Sequence, residues 1–340
     1  MPVARHEAFV LCGPTATGKT AVAHQLAAEL NAVILSADAM LVYRGMDIGT
    51  AKPTAAERAR FGYGGLDLVE PDATFDVATW LDHAQNFLAR ARAASRPVLV
   101  VGGTGLYIKW LLTGLTAQPS ADPAWRATAE KMSLAELQAC LQKIAAAQFN
   151  ALNESDRQNP RRLIRAIEII RWEKTRSEGT LECWSTGTGE EKSFPSNVAA
   201  HPQSQPPSSI TPSLQHSIVP CLVLPTPLLW QRIERRVTAM FNAGLLDEAR
   251  RLRAAFPQLS ASAQHAIGYA EAFAVLDGAL TEKAAREKIA IRTRQYAKRQ
   301  MTWFKHQSTV AWVAAEAPVD EIAANVRKIW SDHGPSALAY

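Results

Sequence analysis

The sequence lacks long hydrophobic runs and clustered cysteines. No apolar run approaches the roughly 18 residues that a membrane-spanning helix requires, and the first residues lead into a short strand-like run instead of a cleavable signal. The four cysteines, at positions 12, 140, 183 and 221, form no CxxC pair, which argues against a zinc site and a disulfide framework. We therefore expect a cytoplasmic protein with reduced thiols and no membrane partner.

Positive charge is modest overall but is concentrated in two segments. The 340 residues carry a formal net charge of +5, and 47% are hydrophobic, as in an ordinary folded protein. Residues 157–176 carry seven basic and two acidic side chains, and residues 286–305 carry seven basic and one acidic. This distribution predicts either a surface that meets a polyanion or two solvated helix faces.

Strand-like and helix-like stretches alternate in the first part of the chain. Strand-like runs cover residues 8–12, 32–35 and 97–101, and helix-like stretches cover residues 20–30 and 76–94. Such alternation predicts an α/β fold with a parallel sheet flanked by helices. Later strand-like runs cover residues 221–224 and 309–313, and helix-like stretches cover residues 228–255, 265–276 and 281–305.

Composition divides the chain into four predicted segments. Strand signals vanish after residue 116, and residues 183–217 hold eight Ser and five Pro with almost no apolar pattern, which predicts a flexible insertion. The predicted segments are the first part of the α/β core (1–116), a helical insertion (117–182), the Ser/Pro-rich insertion (183–217) and the completion of the core with the basic helices (218–340).

A phosphate-binding motif follows the first predicted strand. Residues 13–20 read GPTATGKT and fit GxxxxGK[ST], between a strand-like run and a helix-like stretch. Its glycines let backbone amides face phosphoryl oxygens, Lys19 would reach the terminal phosphates, and the Thr20 hydroxyl would bind Mg²⁺. The predicted phosphate-binding residues are Gly13, Thr15, Ala16, Thr17, Gly18, Lys19 and Thr20. The motif indicates a P-loop NTPase-like fold and nucleotide or ATP binding, but the same loop can also hold a diphosphate leaving group.

Two polar side chains follow neighbouring predicted strands. Asp38 comes after the second strand and could accept a proton from a nucleophile, although it could equally cap a turn or support Mg²⁺. Thr104 follows the glycines of the strand at residues 97–101, where it could point into the same cleft or cap the next helix.

Six stretches together resemble the tRNA dimethylallyltransferases, also called tRNA isopentenyltransferases, of the bacterial type. They occur in the order of that family and span most of the chain. The stretches are residues 13–20, 36–53, 102–107, 159–168, 266–269 and 293–300.

The resemblance implies Mg²⁺-dependent transfer of the dimethylallyl group from dimethylallyl diphosphate to N6 of the adenine 3′ to the anticodon. Asp38 matches the general base of the family, Thr104 matches its active-site threonine, and Arg232 and Arg236 match a helix near the diphosphate. The helical insertion would face the anticodon stem-loop of tRNA, and we expect a monomer. The implied tRNA-binding residues are Asp38, Ala39, Met40, Leu41, Arg161, Arg162, Leu163, Ile164, Arg165, Arg294 and Lys298.

The chain also departs from the family pattern. Ala39 stands where the family usually has Ser, and residues 62–65 read GYGG where many relatives carry a His pair. Three alternatives therefore stay open at this stage. They are an isopentenyltransferase acting on free adenylate, a P-loop kinase of small molecules, and an RNA-binding protein whose catalytic cleft has decayed.

Overall fold

The computed structural model describes residues 7–114, 119, 121–178 and 218–339. By its internal contacts the chain forms two compact units, residues 1–115 together with 212–340, and residues 116–211. The predicted flexible insertion at 183–217 lies outside the described residues, and so does Cys183. Within the described part of the chain, no helix is long and apolar enough to cross a bilayer.

The first unit is built on one twisted sheet. Its strands are β1 (Glu7–Cys12), β2 (Val33–Ser36), β3 (Tyr63–Gly64), β4 (Val98–Gly102), β5 (Val219–Val223), β6 (Val310–Ala314) and β7 (Ser336–Ala337). The strand order is β3-β2-β4-β1-β5-β6, and β7 pairs with β1. All pairings are parallel except the one between β7 and β1.

Helices surround this sheet. The helices of the first unit are α1 (Lys19–Leu30), α2 (Ala55–Phe61), α3 (Val77–Ala93), α4 (Gly105–Thr113), α10 (Thr226–Asn242), α11 (Leu245–Ala255), α12 (Ala261–Gln264), α13 (Tyr269–Leu276), α14 (Glu282–Gln307) and α15 (Val319–His333). Central strands covered on both faces must be apolar throughout, and Val10, Leu11 and Cys12 of β1 are accordingly fully buried. The predicted α/β fold with a parallel sheet is confirmed.

One predicted helix is divided in two. The apolar pattern predicts a single helix over 228–255, but α10 ends at Asn242 and α11 begins at Leu245. Gly244 lies between them at φ +95°, a conformation that a residue with a side chain adopts only at a cost. The break lets each helix bury its own apolar face, through Ile233 in α10 and Ala249 in α11.

A buried carboxylate holds the segment that follows β2. Glu248 of α11 is 4% exposed and accepts hydrogen bonds from the backbone amides of Asp47, Ile48 and Gly49, at 3.0 to 3.3 Å. The Tyr269 hydroxyl donates to the same carboxylate at 2.5 Å. These four hydrogen bonds replace the water that an exposed carboxylate would have. The same bonds fix the conformation of the 46–53 segment.

The second unit contains the helices that the composition of residues 117–182 predicts. These are α5 (Pro123–Ala129), α6 (Leu134–Ile144), α7 (Ala146–Ala151), α8 (Glu154–Arg157) and α9 (Pro160–Glu178). The Asn159 side chain accepts from the amide of Arg162 at 3.4 Å, so Asn159 caps α9 and Pro160 takes the first helical position. Ile167 of α9 packs with Leu137 and Leu141 of α6 in a separate apolar core.

Candidate active site

The phosphate loop joins β1 to α1 at the carboxyl edge of the sheet. Gly13 has φ +149°, and a Cβ there would lie 2.8 Å from the carbonyl oxygen of Leu222 in the neighbouring strand. Gly18 has φ +91° and is the N-cap residue of α1. Lys19 donates through Nζ to the Pro14 carbonyl at 2.7 Å, and its ammonium therefore lies over the concave side of the loop.

Two arginines of α10 contact this loop. Arg236 donates to Thr15 Oγ1 at 3.2 Å and to the Thr50 carbonyl at 2.9 Å. Arg232 donates to the Thr17 carbonyl at 3.4 Å. These positions agree with the predicted placement of both arginines beside the phosphate loop.

The electrostatics of the loop favour a polyanion. Burial lowers the pKa of Lys19 to about 8, while the Asp38 carboxylate acts in the opposite direction. Burial also lowers the pKa of Arg236, again opposed by Asp38. Because desolvation destabilises both cations, an anion that carries more than one charge would be strongly attracted to this position.

Asp38 lies in the turn after β2. Its Oδ1 accepts from the amide of Met40 at 2.9 Å, so one oxygen stabilises the turn, as the capping alternative requires. The carboxylate also lines the same cavity as Lys19 and Thr20, and a second lone-pair-bearing oxygen is available to a ligand. The side chain therefore stabilises the turn and at the same time lines the cavity.

Thr104 occupies the N-cap position of α4 but does not cap that helix with its side chain. Its Oγ1 instead accepts from the amide of Ala39 at 3.0 Å, which joins the turn after β2 to the turn after β4. The two turns approach so closely that a Cβ on Gly102 would lie 2.1 Å from the Ala37 carbonyl oxygen. Glycine is therefore required at position 102 for the two turns to approach closely enough for this hydrogen bond.

A cavity of about 350 Å³ connects the phosphate loop, the two arginines and Asp38, whereas Thr104 is not among its lining residues. Its lining combines Lys19, Arg232 and Arg236 with the apolar side chains of Leu41 and Pro53. Such a lining suits a small molecule with a charged head group and a short apolar tail.

Several residues that sequence reasoning did not assign also line the cavity, among them Thr50, Tyr63 and Gln300. Thr50 and Gln300 lie beside the phosphate loop, and Tyr63 hydrogen-bonds His24 Nε2 through its hydroxyl at 2.7 Å. Position 63 is within the GYGG stretch that departs from the family pattern. Gln300 lies in the stretch at residues 293–300 that resembles the family. Its side chain is uncharged, so charge did not identify it as a site residue.

A magnesium ion fits the donors of this cavity. Mg²⁺ uses one or two protein oxygens and completes its shell with phosphate oxygens and water, and the Thr20 hydroxyl and the Asp38 carboxylate line one space with the phosphate loop. Among the described residues, no group of three or more His, Cys, Asp or Glu could hold a metal without such help.

The residues predicted to bind tRNA occupy different environments. Ala39, Met40 and Leu41 follow Asp38 in the same turn and are partly buried. Leu163 is fully buried and Ile164 is 6% exposed, so their side chains support the helical core and are not available to RNA in this structure.

The predicted cations also differ in their partners. Arg161 and Lys298 are exposed, whereas Arg162 pairs with Asp156. Arg165 donates to Glu168 at 3.0 Å and to the Pro119 carbonyl at 2.8 Å, and it therefore has a structural role. Arg294 pairs with Glu234 and stacks on Trp230, with 5.0 Å between the guanidinium carbon and the ring centroid.

The chain matches known proteins over most of its length. A sequence model described as IPP transferase matches residues 41–307, and a second, described as isopentenyl transferase, matches residues 6–61. The tRNA dimethylallyltransferase of Anaeromyxobacter dehalogenans is 37% identical over 93% of this chain and 96% of its own length. That of Deinococcus radiodurans is also 37% identical, over 88% of this chain and 89% of its own length.

Solved structures agree with this relationship. A crystal structure of the tRNA isopentenylpyrophosphate transferase from Bacillus halodurans superposes with a TM-score of 0.63 at 30% identity, covering 96% of this chain and 98% of that one. A eukaryotic dimethylallyltransferase acting on tRNA shares the fold at 19% identity and a TM-score of 0.67, over 91% of this chain and 74% of that one. The chain therefore belongs to the IPP transferase family, in which its curated relatives are tRNA dimethylallyltransferases.

Proposed function

We propose that the chain transfers the dimethylallyl group from dimethylallyl diphosphate to N6 of the adenine on the 3′ side of the anticodon in tRNA. The observation that carries this proposal is the single cavity that joins the cationic phosphate loop to Asp38 and to apolar side chains. A kinase would also use a phosphate loop and a carboxylate, so the relationship to the IPP transferase family favours prenyl transfer over phosphoryl transfer.

The diphosphate is the leaving group in this reaction. The adenine N6 attacks the allylic carbon, the N–C bond forms as the C–O bond breaks, and the diphosphate departs with the bonding electrons. Lys19 and the two arginines lie where negative charge grows on the departing oxygens, so their interaction strengthens toward the transition state. Mg²⁺, held with the help of Thr20, would neutralise further charge on the diphosphate.

Asp38 accepts the proton that N6 loses. An exocyclic amine is a weak nucleophile, and a carboxylate that takes its proton as the bond forms lowers the barrier. Thr104, fixed by the Ala39 amide, lies beside this position and orients the incoming base. The adenine must leave its stack to enter the cavity, at a cost of a few kcal/mol that is smallest in a loop.

We also propose that the tRNA anticodon stem-loop is bound by exposed cations, chiefly Arg161 of the helical unit and Lys298 of α14. The helical insertion would then face the RNA, and a monomer in the cytoplasm would meet its tRNA substrate there. Which tRNAs are recognised depends on base contacts beyond these cations.

Incubation with labelled dimethylallyl diphosphate tests the reaction. We expect label in unmodified tRNA, at N6 of the adenine next to the anticodon after nucleoside digestion. Label in adenylate alone would instead support the adenylate isopentenyltransferase. Phosphate transfer from ATP to a small molecule would support the kinase, and tight tRNA binding without product would support an inactive RNA-binding protein.

The charge of Lys19 predicts a pH dependence of diphosphate binding. Bound diphosphate favours the protonated ammonium, whose pKa is about 8 in the free protein. Affinity should therefore be constant below about pH 8 and fall by about tenfold per pH unit above it, because binding then requires proton uptake. Calorimetric titration with dimethylallyl diphosphate at constant Mg²⁺ between pH 7 and 9 measures this, and Lys19→Arg should flatten the curve. A level wild-type curve over that range would refute the assignment.

Lys298 should contribute to tRNA affinity through counterion release. Lys298→Ala should reduce the slope of log affinity against log salt by about 1, because one phosphate contact is lost. Filter binding of unmodified tRNA at several salt concentrations gives this slope. Lys328→Ala removes another exposed lysine, on α15, and should leave the slope unchanged. Equal slopes for wild type and Lys298→Ala would show that Lys298 makes no phosphate contact and is an ordinary solvated residue.

A further inference from the structure

Helix α14 directs the uncharged polar side chain of Gln300 into the cavity of the candidate active site. Gln300 is 6% exposed and lines the cavity, although it follows exposed Lys298 by only two positions. Burying an amide costs free energy unless both its carbonyl and its NH₂ group find partners. The partners of Gln300 therefore reveal what the residue does.

Gln300 links the two loops that form the cavity. Its Oε1 accepts from the backbone amide of Thr15 in the phosphate loop at 2.9 Å, and its Nε2 donates to the Gly103 carbonyl at 2.9 Å. Because an amide holds its acceptor and donors in one rigid plane, the two bonds together fix the separation of the loops. A Cβ on Gly103 would lie 2.3 Å from Nε2, so glycine is needed there for the link to form.

Tyr296 lies one helical turn before Gln300. Burial raises the pKa of the Tyr296 hydroxyl, as does the Asp38 carboxylate, while the side chains of Thr104 and Gln300 act against that rise. The phenol therefore keeps its proton near neutral pH.

We propose that Gln300 is a positioning residue for prenyl transfer, which sets the distance between the loop that holds the diphosphate and the turn that carries Thr104. This inference rests on the proposed function. Bond formation requires the reacting atoms to approach within about 3–3.5 Å, and a misplacement of about 1 Å can cost a factor of about 10² in rate. The hydrogen-bond partners of its side chain are backbone groups of Thr15 and Gly103, so Gln300 would act by positioning these two loops.

Two substitutions test the length and the polarity of the link. Gln300→Asn keeps both hydrogen-bonding groups but is one methylene shorter, so it cannot reach both loops at once. Gln300→Leu keeps the approximate volume and removes both bonds. Both variants should lower the single-turnover rate of transfer by about 10- to 100-fold, while the separately measured dissociation constants for tRNA and for dimethylallyl diphosphate stay within about twofold.

Gln307→Leu on the same helix is the matched control. Gln307 is exposed, accepts from Lys109 at 3.0 Å and does not line the cavity, so its loss should alter neither rate nor affinity. A merely structural role for Gln300 predicts a lower unfolding temperature with a normal single-turnover rate in the folded protein. That result in both Gln300 variants would overturn the inference. Absence of transfer by the wild-type chain would overturn the proposed function and this inference together.

Discussion

Asp38→Ala should lower the single-turnover rate of prenyl transfer by about 10²- to 10⁴-fold, the range expected when a general base is lost. The carboxylate lines the cavity with the phosphate loop, and no other carboxylate is among the described residues that line it. The affinity for tRNA should change little, because the proposed RNA contacts lie on exposed cations elsewhere. Rapid mixing of enzyme and labelled dimethylallyl diphosphate with limiting tRNA measures the rate.

Asp38→Asn separates the two roles of this side chain. Its carbonyl oxygen can still accept from the Met40 amide, so the turn is retained while the proton acceptor is lost. We therefore expect Asp38→Asn to be about as slow as Asp38→Ala and to unfold at nearly the wild-type temperature. Near-normal transfer by Asp38→Asn would show that the carboxylate serves the turn and not the chemistry.

Glu248→Leu should destabilise the protein by at least about 3 kcal/mol. It leaves the amides of Asp47 and Ile48 and the Tyr269 hydroxyl without an acceptor, and each buried unsatisfied donor costs about 1–3 kcal/mol. The Gly49 amide keeps the Tyr269 oxygen as its acceptor. For a chain of this size the unfolding temperature should fall by about 4 °C or more. Denaturant unfolding followed by fluorescence measures the free energy directly.

Glu248→Gln is the control for this prediction. Its carbonyl oxygen can still accept from part of the amide set, although its NH₂ group opposes the remaining donors, so the loss should be smaller than in Glu248→Leu. Because the 46–53 segment supplies the Thr50 carbonyl that orients Arg236, diphosphate affinity should fall in parallel. A Glu248→Leu variant as stable as wild type would mean that the segment holds its conformation without the carboxylate.

Local patterns in the sequence predicted the sheet and the phosphate loop. Buried strands such as β1 are short continuous apolar runs, and GPTATGKT is contiguous, so both signals lie within one stretch of chain. The division of the predicted helix at Gly244 was missed because a single glycine inside an apolar pattern is compatible with an unbroken helix.

The long-range contacts of the site could not be predicted in the same way. Gln300 lies 285 positions from its partner Thr15, and Glu248 lies about 200 positions from the segment it holds. Family resemblance grouped Leu163 and Ile164 with Arg161 as RNA-binding residues, although helical periodicity alone would place them on the buried face. The motif identified the right helix, and only the packing separates the side chains that face solvent from those that form its core.

The strand order has a consequence for synthesis on the ribosome. Strand β1 lies between β4 and β5, but β5 begins 117 residues after β4 ends, with the helical unit in between. At a translation rate of about 5–20 residues per second, one side of β1 remains unpaired for on the order of ten seconds. An apolar strand with free backbone groups is a template for aggregation, so the nascent chain must be shielded during that interval.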